Sequence, residues 1–182
     1  MKAKRVIIIH GWADVPNRGW QGWLGRELSK QGVEVIAPAM PRPKLPVLAD
    51  WQATIADVVG ELDEETVLIG HSLGTFSLLR FLENYQGKGK AGQLILVAGF
   101  LENGGRSLKP YFAPVPDLTR VSERVENIYH IFSDKDHLVT PDKSQKLAHL
   151  LKGKTYQLPG YGHFMTNKIV EFPLVLDIIT DY

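Results

Sequence analysis

The chain has 182 residues, of which 44% are hydrophobic and 23% charged, so it fits one globular domain with a sizeable core and leaves little room for a second. Its formal net charge is +1 and it has no long run of Lys or Arg, which argues against nucleic acid or an anionic membrane surface as a partner and favours a small neutral molecule. The absence of cysteine excludes disulfides, cysteine-based metal sites and a cysteine nucleophile.

The start of the chain predicts no export signal. Residues 1–5 are basic, as in the first part of a signal peptide, but the apolar run that follows covers only residues 6–9. No apolar segment is long enough to span a membrane. We therefore expect a soluble cytoplasmic protein that forms a single domain over residues 1–182.

The first elements are a buried strand and an amphipathic helix. Residues 6–9 are a continuous β-branched run, which is typical of a strand buried on both faces at the centre of a sheet. Apolar residues from Trp20 to Leu28 then recur at helical spacing, and Gly32 ends that pattern. We interpret Trp20, Trp23 and Trp51 as core residues.

A second strand and an irregular loop follow. Residues 33–37 predict the strand, and the prolines within 38–46 exclude regular structure because each removes a backbone N–H group. The next helix is expected to be capped by Asp50 and to run to about Leu62.

A sharp turn connects the third strand, which includes Val67, to the next helix. Its sequence is Gly70-His71-Ser72-Leu73-Gly74, and the helical pattern continues over 73–85. Glycine two residues before and two after a serine permits a very tight strand-to-helix turn, the nucleophile elbow, which leaves the serine exposed at the corner. We expect Ser72 to be a nucleophile.

The second half of the chain begins with two further strands, over 94–98 and 128–132. The long connection between them, over 99–117, contains Gly104-Gly105, three prolines and several aromatic residues, so we expect an irregular aromatic segment. A short helix over 118–125 should follow it. The connection is too short to form an independent cap domain.

The last elements are a helix, a short strand and a second helix. Thr140-Pro141 begins a helix that Gly153 ends, since proline is favoured at the first helical position. Residues 155–158 predict a sixth strand. The pattern from Ile169 onward is helical, and Pro173 should divide it into a turn and a helix.

Alternating strands and helices predict a doubly wound α/β fold, with a mostly parallel sheet of six strands covered on both faces. In such sheets, ligands bind beyond the carboxyl ends of the strands. The segments expected at that edge contain the residues that could carry chemistry: His10-Gly11, Ser72, the aromatic segment, Asp136 and His163.

A serine nucleophile needs a base and an acid that orients it. Among six histidines, His163 lies in a glycine-rich loop after the last strand, from which its side chain can reach over the sheet edge. For the acid, Asp134 and Asp136 directly follow the fifth strand, and Glu102 follows the fourth. The residues alone leave these three carboxylates as alternatives.

Backbone amides are the expected oxyanion donors. The Leu73 amide is at a helix N-terminus directly after the serine, and the Trp12 amide follows the end of the first strand. The substrate pocket should be shaped by loops 12–19, 38–46 and 100–116, with contacts from the following residues: Trp12, His71, Phe100, Tyr111 and Phe112. No Walker motif or H-E-x-x-H spacing is present, so neither a metal nor a cofactor is implied.

Together these motifs resemble the α/β-hydrolases, and more closely the small serine hydrolase family that includes the retinoblastoma-binding serine hydrolase and bacterial YdeN-like proteins. The resemblance covers nearly the whole chain and is carried by the following motifs: Ile9-His10-Gly11-Trp12, Trp20-Gln21-Gly22-Trp23-Leu24, Ala39-Met40-Pro41, the Ser72 elbow, residues 133–139 and Gly160-Tyr161-Gly162-His163-Phe164. In residues 137–141 the chain departs from family members, which more often place a proline sooner after the acid.

This resemblance implies a minimal α/β-hydrolase fold without a large cap domain and with strand order 2-1-3-4-5-6. It also implies Ser72, Asp136 and His163 as the catalytic triad. The function expected from it is hydrolysis of small esters through an acyl-enzyme. The alternatives are a protein-binding module with an idle triad, for which the sequence shows no partner motif, and amide hydrolysis or acyl transfer on the same fold.

Overall fold

The computed structural model describes residues 3–102 and 106–181, and part of the predicted basic start and the Gly104-Gly105 pair lie outside them. Six strands are present: β1 (Arg5–Ile9), β2 (Glu34–Ile36), β3 (Thr66–His71), β4 (Ala91–Val97), β5 (Val125–Ser133) and β6 (Lys154–Leu158). The helices are α1 (Gly19–Lys30), α2 (Leu48–Val59), α3 (Leu73–Asn84), α4 (Leu118–Ser122), α5 (Pro141–Leu150), α6 (Pro173–Thr180) and a 3₁₀ helix over Arg106–Phe112.

The strands form one sheet in the order β2-β1-β3-β4-β5-β6, and every neighbouring pair is parallel. This confirms both the doubly wound α/β prediction and the strand order that the family resemblance implied. Because all six strands run the same way, their carboxyl ends meet at one edge. The turn after β3 and the loops after β1, β4, β5 and β6 therefore all start from that edge.

Alternate residues of the central strands serve two separate cores, as the two-residue period of a strand requires. Ile7 and Ile9 belong to the core that Trp51 of α2 and Phe76 of α3 complete. Their neighbours along β1, Val6 and Ile8, belong to a second core with α1 and α6. Burial on both faces explains why β1 reads as an unbroken β-branched run.

The prediction that Asp50 caps the second helix is wrong. That helix begins at Leu48, two residues earlier, and Val47 occupies the cap position with no side-chain hydrogen bond to the helix. Asp50 lies in the first helical turn and pairs with Arg42 of the preceding loop. The helix ends at Val59 rather than near Leu62 because Gly60 adopts φ +55°.

The connection between β4 and β5 is more ordered than predicted. Arg106–Phe112 is a 3₁₀ helix whose aromatic residues Tyr111 and Phe112 are buried against Phe76. The short helix expected over 118–125 stops at Ser122, because Val125 already pairs with β4 as the first residue of β5. In the described part of the chain, no helix combines the length and apolarity needed to cross a membrane.

The turn from β3 into α3 is possible only because glycine flanks it. A Cβ atom on Gly74 would lie 2.1 Å from the carbonyl oxygen of Ile9, and one on Gly70 would lie 2.7 Å from the backbone of Thr75. Both obstacles are backbone atoms, which cannot rotate out of the way. The first turn of α3 is thus pressed against the end of β1, and this contact fixes where Ser72 stands.

Two glycines in helices provide a matched test of this contact. Gly74→Ala should lower the free energy of unfolding by at least about 2 kcal/mol, because the new methyl group overlaps the Ile9 carbonyl. Gly25→Ala should be neutral or stabilise α1 by up to about 1 kcal/mol, since its nearest neighbour would be Val35 Cγ1 at 3.6 Å. Urea unfolding of both variants measures the difference. Equal stabilities would contradict the tight contact.

Candidate active site

Ser72 occupies a strained corner between β3 and α3. Its φ is +53°, a left-handed value that non-glycine residues rarely adopt, and its amide donates to the carbonyl oxygen of Val97 at 2.9 Å. The sequence predicted an exposed serine, but only 9% of Ser72 is accessible because the walls of a cavity surround it. The side chain is thus presented to a cavity rather than to open solvent.

His163 connects Ser72 to Asp136 through its two ring nitrogens. Nε2 lies 2.9 Å from Ser72 Oγ, and Nδ1 lies 2.7 Å from Asp136 Oδ2. An ionised carboxylate can only accept, so Nδ1 carries the proton that bonds it and Nε2 is left to accept from the serine hydroxyl. The second carboxylate oxygen accepts from the amides of Leu138 and Val139, each at 2.9 Å.

The other two acid candidates are engaged elsewhere. Asp134 Oδ1 accepts from the amide of Gly160 at 2.7 Å and so holds the start of the loop that carries His163. Glu102 is exposed and pairs with Lys146 at 2.7 Å. Of the three carboxylates that the sequence left open, Asp136 is the one in hydrogen-bond contact with His163.

Two buried donors hold the backbone next to the His163 ring. Nε2 of His71 lies 2.8 Å from the carbonyl oxygen of His163 and donates to it, and the Trp20 indole donates to the carbonyl of Phe164 at 3.0 Å. Burial, and to a smaller extent the nearby His163, lowers the pKa of His71 to about 4, so its ring is neutral at ordinary pH. The sequence suggested His71 as a substrate contact and Trp20 as a core residue, but it gave no sign that both anchor this loop.

Of the two amides predicted as oxyanion donors, that of Leu73 directly follows Ser72, and that of Trp12 belongs to the loop after β1. Leu73 is the first residue of α3, and the first amides of a helix have no intrahelical acceptor. A Cβ atom on Gly11 would be 3.1 Å from Ser72 Cβ, so the loop after β1 runs against the serine.

His10 fixes the peptide group that contains the Trp12 amide. Nε2 of the His10 ring accepts from the Met40 amide at 3.2 Å, so Nδ1 carries the proton and donates to the Gly11 carbonyl at 2.8 Å. A trans peptide directs its N–H opposite to its C=O. The Trp12 amide therefore points away from the His10 ring.

A cavity of about 340 Å³ opens beside Ser72 and His163. One group of its lining residues comes from the segments after β4 and β5 and forms what we call the apolar wall: Phe100, Leu108, Phe112, Leu138 and Val139. A second group comes from the loops after β1 and β6: Trp12, Ala13, Asp14, Arg18, Met165, Thr166 and Asn167. The His71 ring and Lys143 also line the cavity.

One predicted substrate contact needs correction. Trp12, His71, Phe100 and Phe112 line the cavity as the sequence suggested, but Tyr111 does not. It is buried beside Trp51, and its hydroxyl shares a 2.8 Å hydrogen bond with Ser77 Oγ. The same burial raises the pKa of the Tyr111 phenol, so this side chain is a neutral structural group.

The 38–46 loop was also expected to shape the pocket, but it does so indirectly, through a neighbouring loop. Its carbonyl groups at Pro43 and Lys44 accept from the Ala13 amide and from the Trp12 indole at 2.9 and 3.0 Å. It therefore supports the loop after β1, which itself lines the cavity. Within residues 3–102 and 106–181, no group of three or more His, Cys, Asp or Glu side chains is arranged to hold a metal ion.

A family model described as serine hydrolase matches residues 6–177, which is nearly the whole chain. The chain belongs to the serine hydrolase family. It is similar to YdeN of Bacillus subtilis (strain 168), a protein named as a hydrolase, at 32% identity over 98% of this chain and 96% of that protein. It is also similar to serine hydrolase RBBP9 of Rattus norvegicus, at 27% identity over 92% and 90% of the two chains.

Solved structures agree with this assignment. The crystal structure of the B. subtilis ydeN gene product superimposes with a TM-score of 0.94 at 32% identity, covering 99% of this chain and 98% of that one. Polyneuridine aldehyde esterase, solved as an H244A mutant, has a TM-score of 0.69 at 12% identity and covers 98% of both chains. The second similarity concerns the α/β-hydrolase fold alone.

Buried neutral histidines make stability depend on pH. Burial lowers the pKa of His10, His71 and His130 in the folded state. Between pH 6.5 and about 4, the unfolded chain protonates at His71 while the folded chain does not, so the free energy of unfolding falls as pH falls. The shift at His71 corresponds to a loss on the order of 3 kcal/mol across that window.

Urea unfolding of the wild type and of His71→Gln at intervals from pH 7 to 4 tests this dependence. The variant should lose less stability than the wild type over the same interval, because glutamine does not titrate. His149→Gln, at an exposed position on α5, is the control and should keep the wild-type slope. Identical slopes in all three proteins would contradict a buried neutral His71.

Proposed function

We propose that this serine hydrolase is carboxylesterase-like and cleaves small esters through Ser72, His163 and Asp136. The observation that supports this most is the line of hydrogen bonds from Ser72 Oγ through both nitrogens of His163 to Asp136, which opens onto a cavity with an apolar wall. Apolar walls favour acyl chains and small alcohol groups over charged polymers. The reaction as proposed needs neither a metal nor a cofactor.

In the acylation step, Ser72 Oγ attacks the carbonyl carbon of the ester while His163 Nε2 takes the hydroxyl proton. The electron pair of the carbonyl π bond moves to the oxygen, and the amides of Trp12 and Leu73 stabilise that charge. Asp136 stabilises the imidazolium and holds the ring in place. When the tetrahedral intermediate collapses, the bond to the alcohol oxygen breaks and His163 Nε2 gives its proton to that oxygen.

In the deacylation step, water repeats the sequence against the acyl-enzyme. His163 Nε2 takes a proton from the water as its oxygen attacks the acyl carbon. Collapse breaks the bond to Ser72 Oγ, which recovers the proton from His163. The products are one carboxylic acid and one alcohol per ester, and the enzyme returns to its starting protonation state.

The acid provides the sharpest test of this mechanism. On p-nitrophenyl esters of increasing acyl chain length, we expect wild-type turnover, a loss of at least ~10²-fold in kcat for Asp136→Asn, and changes within about tenfold for Asp134→Asn and Glu102→Gln. Asparagine keeps the shape of Asp136 but cannot stabilise the imidazolium. The two controls remove carboxylates that bond Gly160 and Lys146 instead of His163.

The outcomes separate the competing accounts. A severe loss in Glu102→Gln together with near-normal Asp136→Asn would overturn the assignment of the acid. Turnover of amide substrates with no turnover of esters would change the reaction class but keep the nucleophile. If the folded wild type hydrolysed no ester or amide at all, a binding role for the same fold would be favoured over catalysis.

A further inference from the structure

One partly buried cation of the cavity lining forms no ion pair with the described residues. Lys143 is the third residue of α5, is partly buried, and lines the same cavity as Ser72. Among the described residues, no carboxylate lies within 4 Å of its ammonium group. Lys146, one turn further along the same helix, does have such a partner in Glu102 at 2.7 Å.

Helix stability does not account for a lysine at this place. The N-terminal end of a helix carries partial positive charge, so a cation in the first turn is unfavourable there and would be better placed in the last turn. Asp142, the neighbouring residue, suits that end, and Lys143 does not.

The contacts of α5 set Lys143 beside the apolar wall. Its neighbour Ser144 donates to the Gly99 carbonyl at 2.8 Å, next to Phe100 in the chain. On the other side, Val139 precedes the helix and is held by Asp136. Lys143 therefore lies where the segments after β4 and β5 meet. The side chains of the apolar wall there can pack against the methylene groups of a substrate.

Two further charged residues line the cavity, and the described contacts include no ion pair between them. Asp14 and Arg18 both come from the loop after β1 and carry opposite formal charges, and Asp14 also accepts from the Thr166 hydroxyl at 2.9 Å. His71 is neutral because burial lowers its pKa. Lys143 is thus the partly buried cation of the lining, since Arg18 is exposed. Its charge also acts on Glu102 and Asp142, but it forms no ion pair with either of them.

We propose that Lys143 makes this enzyme select esters that carry an anionic group at the end of a short apolar chain. The inference rests on the proposed esterase function and adds the substrate class. The methylene groups of the chain pack against the apolar wall, and the terminal carboxylate pairs with the Lys143 ammonium. Because the apolar wall lies on one side of this pair, its attraction is stronger than it would be in open water.

The test compares esters of matched length by pH-stat. Monoethyl adipate carries the anion on the acyl side, and ethyl hexanoate is its neutral counterpart. 4-Acetoxybutanoate carries the anion on the alcohol side, and butyl acetate is its neutral counterpart. For each pair, kcat/KM for the anionic ester is divided by kcat/KM for the neutral ester. The readout is this ratio in Lys143→Met divided by the same ratio in the wild type. This double ratio cancels the difference in hydrophobicity between the two esters.

We expect Lys143→Met to lower the ratio about tenfold in one of the two pairs, mainly through a higher KM for the anionic ester. The pair that responds identifies the half of the substrate that carries the anion. Lys152→Met is the matched control, since this lysine is exposed just after α5 and does not line the cavity, and it should keep the wild-type ratios.

Three results would count against these ideas in different ways. Ratios that stay within about twofold in Lys143→Met for both pairs would overturn the role of Lys143 and leave esterase activity standing. An equal fall in Lys152→Met would attribute the effect to overall charge, which also overturns it. Absence of turnover for every ester, the neutral ones included, would overturn the proposed function and this inference with it.

Discussion

The contact between the first turn of α3 and the end of β1 is the constraint on which the rest of the site depends. Only a hydrogen atom fits between Gly74 and the Ile9 carbonyl, so the turn after β3 must be as tight as it is. That tightness forces Ser72 into a left-handed conformation, which the surrounding sheet maintains through the bond from its amide to Val97. A second close approach, at Gly11, brings the loop after β1 against Ser72.

The second requirement is a fixed position for a histidine that comes from a distant loop. His163 lies 91 residues after Ser72, yet its Nε2 stands 2.9 Å from the serine oxygen. Donors from the rigid part of the fold make this possible, because His71 and Trp20 hold the two carbonyl groups of this loop while Asp136 holds the ring. The burial that makes His71 a reliable donor also keeps it neutral, which links the integrity of the site to pH.

Much of the fold could be read from the sequence because its strands are buried on both faces and its turns carry glycine or proline. The elbow and the parallel sheet follow from local patterns, whereas the strand order came from resemblance to a family. Local patterns failed where tertiary contacts decide the outcome: Asp50 pairs with Arg42 instead of capping α2, and Tyr111 turns into the core while Phe112 lines the cavity. Asp134 and Asp136 are two residues apart, so only the three-dimensional path of the loop separates them. The sequence did not indicate a role for Lys143, since that role depends on which end of its helix borders the cavity.

The most direct test of this account is the covalent chemistry of Ser72. A fluorophosphonate probe should add one phosphonyl group to the wild-type chain, and peptide mapping by mass spectrometry should locate it on Ser72. Ser72→Ala should show no label, and His163→Ala should be labelled at least about a hundredfold more slowly because the serine has lost its base. Label on another residue, or labelling of Ser72 at the wild-type rate without His163, would contradict the proposal that His163 activates Ser72 as the nucleophile.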